Sequence, residues 1–191
     1  MRTAKNTRET LETHITGELN LDGGEIAVDT GIGFFDHMIT ALAKHAGFGL
    51  TLKADGDLQV DAHHTVEDTG IVLGGLFKSA LGSFNGVARY GSFFVPMDEA
   101  LAFASADLSG RAFLVWSAEF PDVPDWEFDY SLAEEFWRAF AVNAGITLHM
   151  KLEYGKNAHH CCEALFKAAA HALRLAVIQT GEKPLSTKGS L

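Results

Sequence analysis

The chain has 191 residues, and 15 Lys and Arg set against 25 Asp and Glu give a formal net charge of −10. That length fits one domain or two small ones and buries a core without staples, while a hydrophobic content of 47% excludes a disordered chain. The acidic balance excludes a protein that coats DNA or RNA, because the phosphate backbone requires a basic face, and no apolar run reaches the roughly 18 residues that a membrane span needs.

Residues 1–6 carry no apolar stretch, so no secretory signal is visible and a cytoplasmic protein is expected. Residues 18–30 alternate around Asp22-Gly23-Gly24, which reads as a β-hairpin. Residues 34–46 read as a helix with Phe34, Met38, Ala41, Leu42 and His45 on one stripe and Gly47 as its stop. A second hairpin is predicted from 50–53 and 58–60 around a turn at Asp55-Gly56. The next helix opens at His63-His64 and runs through Val66, Ile71, Leu73, Leu76, Phe77 and Leu81. Residues 84–96 read as a short, partly apolar link. Strands at 101–106 and 112–116 flank a turn at Ser109-Gly110, and 120–129, with two prolines, reads as a loop. A helix at 132–144 ends near Gly145, and a strand at 146–153 leads to a turn at Gly155-Lys156-Asn157. An Ala- and Leu-rich helix follows from about 161 to 178. It carries the two cysteines, Cys161 and Cys162, which as neighbours close no useful loop and are read as packing residues. The tail after Gly181 is polar.

The second half thus repeats the first. The pattern predicts an α+β fold of two pseudo-symmetric β-β-α-β-β-α halves, each a small sheet covered on one face by two helices, packed as one body. The halves divide at about 1–88 and 89–191, within a single domain spanning 1–191.

Four of the nine histidines lie in two adjacent pairs. His63-His64-Thr65-Val66-Glu67 recurs half a chain later as His159-His160-Cys161-Cys162-Glu163. Residues three or four apart on a helix share a face, so a histidine of each pair converges with Glu67 or Glu163. Imidazole nitrogen and carboxylate oxygen suit divalent manganese, iron or zinc. Adjacent histidines do not easily point at one ion, which indicates two ions. The plainer reading, that these are ordinary residues of a helix N-terminus where Glu favours the dipole, is weakened by their occurrence twice at equivalent places. His37 and Glu135 stand at the same distance before the Ala-Gly that ends their helices, so Glu135 duplicates His37 and both are candidate ligands. His45 reads as a pocket wall, His149 as a strand residue, and His14 and His171 as structural or surface.

The segments F-F-D-H-M-I-T-A-L-A-K-H-A (34–46), D-A-H-H-T-V-E-D-T-G-I (61–71), R-Y-G (89–91), D-L-S-G-R (107–111), N-A-G-I-T-L-H (143–149), H-H-C-C-E-A-L-F-K-A (159–168) and S-T-K-G (186–189) resemble the imidazoleglycerol-phosphate dehydratase family, in the expected order over residues 8–191. The resemblance implies a hydro-lyase of histidine biosynthesis, which removes water from imidazole glycerol phosphate to give imidazole acetol phosphate through a metal-bound imidazolate. It implies two manganese ions per active site, with other divalent metals accepted, and sites at the interfaces of a large symmetric homo-oligomer, a 24-mer in the family. Carried over, the metal ligands are His37, His63, His64, Glu67, His159, His160 and Glu163, with Glu135 where the family usually has a histidine. Glu12 matches the family's catalytic glutamate, and Glu67 and Glu163 join it in the catalytic set. Arg89, Arg111, Lys167, Ser186 and Lys188 match its phosphate-binding set. Further substrate contacts carried over are Glu12, His37, His45, His63, His159 and Thr187. A phosphomonoester dianion needs several cations and hydroxyls together, so a local basic cluster is compatible with an acidic chain. Two other readings stay open: a different metal-dependent enzyme acting on a phosphorylated substrate, or a homologue whose site Glu135 impairs.

Overall fold

A computed structural model describes residues 2–121, 128–181, 183, 185 and 186. The first half runs β1 (Thr3–Glu9), β2 (Thr13–Asn20), β3 (Ile26–Asp29), α1 (Gly33–Ala46), β4 (Gly49–Gly56) and α2 (His63–Leu81). The second runs β5 (Tyr90–Met97), β6 (Ala100–Asp107), β7 (Phe113–Ser117), α3 (Leu132–Ala144), β8 (Thr147–Tyr154) and α4 (Ala158–Ala176). The sheets have the matching orders β1-β2-β4-β3 and β5-β6-β8-β7. The α+β class, the two halves, and the four strands and two helices of each are as the sequence implied. The order within a half is β-β-β-α-β-α.

That difference has a physical source in the edge strands. β1, TAKNTRE, is polar and lacks apolar alternation, as suits an edge strand exposed to water. It forms the real hairpin of the first half, with Glu9 paired to His14 across a turn at residues 10–12. The hairpin expected at 18–30 is absent, because β4 lies between β2 and β3 and pairs with both, antiparallel to β2 and parallel to β3. A parallel pair needs a crossover, and α1 supplies it. Residues 58–60 are a turn rather than a strand, with Leu58 and Val60 exposed. In the second half, most of the expected link 84–96 is strand β5, which tolerates Pro96 as an edge strand. β6 and β7 are likewise separated by β8. The loop expected at 120–129 falls largely outside the described residues.

The helices are legible for clear reasons. α1 and α3 end at Gly47 (φ 74°) and Gly145 (φ 69°), left-handed caps whose N–H groups return to the preceding turn. α2 and α4 have equal lengths of 19 residues. α4 packs on β5, β6 and β8 on one side and on α1 on the other, so it is apolar nearly all round. α2 packs in the same way on β1, β2, β4 and α3. The four helices therefore form an inner layer between the two sheets. Its centre is aromatic: Phe136 stacks on Phe166 at 5.5 Å, and Phe77 lies 5.7 Å from Phe140. Cys161 and Cys162 are free and fully buried in this layer.

Glycines let α2 approach α3. A methyl at Gly74 would stand 2.5 Å from the Phe140 carbonyl oxygen, and one at Gly70 would stand 2.6 Å from that of Phe136. Gly74→Ala should therefore destabilise the protein by about 1–3 kcal/mol, although Ala favours a helix over Gly by about 1 kcal/mol. Urea unfolding tests this, and an unchanged or raised midpoint would contradict the close approach.

Candidate functional site

Both histidine pairs open a helix. The N–H of His63 is capped by Asp61 at 2.8 Å, and that of His160 by the Asn157 side chain at 3.1 Å. Each glutamate of the motif follows one turn later on its helix. In the second half the outcome is a three-residue corner: among the described residues, His37, His159 and Glu163 bring ligand atoms within 4.8 Å of one another. Glu163 Oε2 lies 3.2 Å from His159 Nε2 and 3.4 Å from His37 Nε2. His37 comes from α1 of the first half, so this corner exists only where the two halves meet.

Glu163 is 6% exposed. Burial pushes its carboxyl upward, but the Lys167 ammonium at 2.7 Å, with His37, outweighs burial and holds it below its ordinary value. Phe34 stands edge-on to the His159 ring at 5.1 Å and walls that side of the corner. Two imidazoles open to solvent beside a buried carboxylate that is kept ionised suit a divalent metal.

The first-half motif forms a looser counterpart. His63 Nε2 lies 3.7 Å from Glu67 Oε2, both half-exposed. Glu135, the duplicate of His37, is half-buried on α3 and lies 3.7 Å from Arg138. It joins no three-residue group among the described residues.

His64 and His160 turn away from their partners, the two rings of each pair being nearly perpendicular and 6.2 Å apart. Each is held through Nδ1 by a carboxylate: His64 by Asp57, just after β4, at 3.0 Å, and His160 by Glu99, in the β5–β6 turn, at 2.8 Å. Those hydrogen bonds raise the pKa of both imidazoles above the ordinary value. Glu99 also accepts from the backbone N–H groups of Lys156 and Asn157, and with His160 these hold its carboxyl at about 2. A carboxylate on one ring nitrogen directs the other toward a ligand, the usual setting of a metal-binding histidine.

Glu12 is exposed on the β1–β2 turn, 3.8 Å from His64 Nδ1. The turn is pinned by Thr13, whose hydroxyl donates to buried Asp68 at 2.5 Å. Arg89 and Arg111 share one carboxylate: Arg89 Nε lies 2.7 Å from Asp107, and Arg111 lies 3.3 Å from it. Arg89 also donates to the Leu185 carbonyl, which ties the start of the tail to the arginines. Ser186 is half-buried beside that contact, while Thr187 and Lys188 lie outside the described residues. His149 is exposed on β8, and His14 on β2. His45, expected as a pocket wall, pairs with His171 at 3.3 Å. The sequence pattern did not single out Asp57, Glu99, Asp68 or Asp107, because lone acids in turns and strand ends carry no distinguishing spacing.

These features define a class: a duplicated α+β protein with a histidine and carboxylate site suited to a divalent metal. A family model described as imidazoleglycerol-phosphate dehydratase matches residues 30–173. The chain is 54% identical to the Exiguobacterium sp. imidazoleglycerol-phosphate dehydratase, over 99% of this chain and 98% of the relative. It is also 54% identical to that of Streptococcus mutans, over the full length of both. Its fold matches the crystal structure of the Staphylococcus aureus enzyme with a TM-score of 0.85 at 36% identity, covering 93% of this chain and 99% of that one. For the Pyrococcus furiosus enzyme the TM-score is 0.86 at 35% identity, covering 97% and 100%. The chain belongs to the imidazoleglycerol-phosphate dehydratase family and is a lyase of histidine biosynthesis.

Glu99→Gln should lower the His160 pKa toward its ordinary value, read by NMR titration of the metal-free protein. The same variant should weaken divalent-metal binding by about 10- to 100-fold. A His160 titration unchanged by the substitution would contradict the assigned role of Glu99.

Proposed function

We propose that the chain converts imidazole glycerol phosphate to imidazole acetol phosphate and water, with two manganese ions per active site, in the cytoplasm. The observation that carries this reading is the meeting of His37, His159 and Glu163 at one corner, with the Lys167 ammonium one turn further along α4. A dianionic substrate with an imidazole head has a nitrogen ligand at one end and a phosphate at the other. Metal-type donors and basic residues therefore match its two ends.

One ion is assigned to His37, His159 and Glu163. The second is assigned to His63, Glu67 and Glu135, whose carboxylate is a fitting donor for manganese, a harder ion than zinc. His64 and His160, which turn away from these groups, are assigned to the sites of neighbouring subunits in a large symmetric homo-oligomer. When bound, the metal ions supply Lewis acidity that fixes the imidazole ring and withdraws its charge. The reaction breaks one C–H and one C–O bond, releases one water, and leaves an enol that becomes the ketone. Glu12 takes the proton from carbon and protonates the departing hydroxyl, a task for a carboxylate on an exposed turn within reach of the histidines. Arg89, Arg111, Lys167, Ser186, Thr187 and Lys188 hold the phosphate, which orients the reacting carbons. Asp107 keeps the two arginines together until the phosphate arrives.

Glu12→Gln should lower turnover by at least about 100-fold while substrate binding persists, read by absorbance of the acetol product and by calorimetry. Full activity in that variant would overturn the assignment. Manganese affinity should be kept in Glu135→His and reduced in Glu135→Ala. Equal affinity in both, with wild-type activity, would remove Glu135 from the ligand set.

A further inference from the structure

His45 on α1 and His171 on α4 form a pair that lies outside the metal-ligand set. Nδ1 of His45 and Nε2 of His171 are 3.3 Å apart, and the ring centroids are 5.3 Å apart. Phe93 of β5 stacks on the His171 ring at 4.4 Å and 22°. The His171 ring is thus held by a strand as well as by its own helix. His171 stands one helical turn beyond Lys167, which in turn stands one turn beyond Glu163. The pair therefore continues the line of the metal corner and the phosphate-binding lysine.

Both rings are half-buried. Burial, then the charge of Lys167, holds His45 below its ordinary pKa; burial and Arg174 do the same for His171. The charged groups acting on His45 are Lys167 and Glu163 from α4 and Lys44 from its own helix. Arg174 acts on His171, and Phe93 of β5 brings no charge. Two neutral imidazoles sharing one hydrogen bond couple their tautomers, since one ring must donate and the other accept. With the proton on His171 Nε2, His45 accepts at Nδ1 and carries its own proton on Nε2.

We propose that His171 is a positioning residue: by occupying Nδ1 of His45, it makes His45 present Nε2–H as a donor to the phosphate of the substrate. The proposal rests on the reading of His45 as a substrate contact. A phosphate dianion favours adding a proton to the pair: the Nε2 proton of His171 passes to His45 Nδ1, the added proton is taken at His171 Nδ1, and the positive charge sits on His45. Binding takes up a proton, so the affinity gained this way is present at low pH and lost as pH rises through the pKa of the bound pair.

The test is steady-state kinetics of the manganese-loaded enzyme from about pH 5.5 to 8.5. His171→Leu is expected to raise KM about five- to tenfold at neutral pH with kcat within about twofold, the net effect of one hydrogen bond. The ratio of its KM to that of the wild type should shrink as pH rises. The substrate's own phosphate titrates alike in both proteins and cancels in that ratio. His171→Gln, whose amide can both donate and accept, should restore KM to within about twofold of wild type. If His171→Leu does not fold, His171→Asn, too short to reach His45, takes its place. A lowered melting temperature with an unchanged KM and pH profile would overturn the proposal. His45→Ala separates it from the reading beneath: wild-type KM in that variant sinks the substrate contact itself. Raised KM there, with unchanged KM in His171→Leu, sinks only the pair.

Discussion

His37 reaches Glu163 because α1 of one half lies along α4 of the other. The rest of the site depends on that contact. Neither half alone contains the corner of His37, His159 and Glu163, so the docking of the halves and the assembly of the metal-type site are one event. Small residues allow the approach. Gly70 and Gly74 face the carbonyls of α3, and the buried alanines of α4 let that helix pack on a sheet and on a helix at once. A glutamate 6% exposed is costly to keep ionised unless it is paired. Lys167 and the two histidines supply that pairing, so the stability of the helix layer and the chemistry of the corner share the same side chains.

The second histidine of each pair is held alike, though from different places in the two halves. Asp57 follows β4 and Glu99 lies in the β5–β6 turn, and each holds its histidine through Nδ1. The same device at both places separates two jobs for adjacent residues. The first histidine faces the glutamate of its own helix, and the second is turned outward with its Nδ1 held by a carboxylate. The net charge of −10 is consistent with this economy. Acids sit beside nearly every functional base, from Asp107 between two arginines to Glu163 beside Lys167. The basic groups are thereby held in place locally while the chain stays acidic overall.

The helices were legible because their signals are local: glycine stops at 47 and 145, and an apolar stripe. The bounds 132–144 match α3 as read. The strands were legible only where they alternate. β1 and β5 escaped because edge strands facing water need no apolar alternation, and the hairpins expected at 18–30 and 50–60 failed because pairing partners are set by the whole sheet. The His-His-x-x-Glu motifs were legible by spacing and repetition, and Glu135 by its place in the repeat. Asp57, Glu99 and His171 were not, since each acts through a partner brought close only by folding; His171 meets a residue from the other half of the chain.

The central claim is that each His-His-x-x-Glu motif builds one metal corner with a residue from the other half, His37 for the second motif and Glu135 for the first. The most direct measurement is the number of manganese ions bound per chain at saturation, by equilibrium dialysis and elemental analysis, for the wild type and for His37→Ala. The account expects two ions per chain in the wild type and one in the variant. A single ion in the wild type, or two retained after loss of His37, would contradict it.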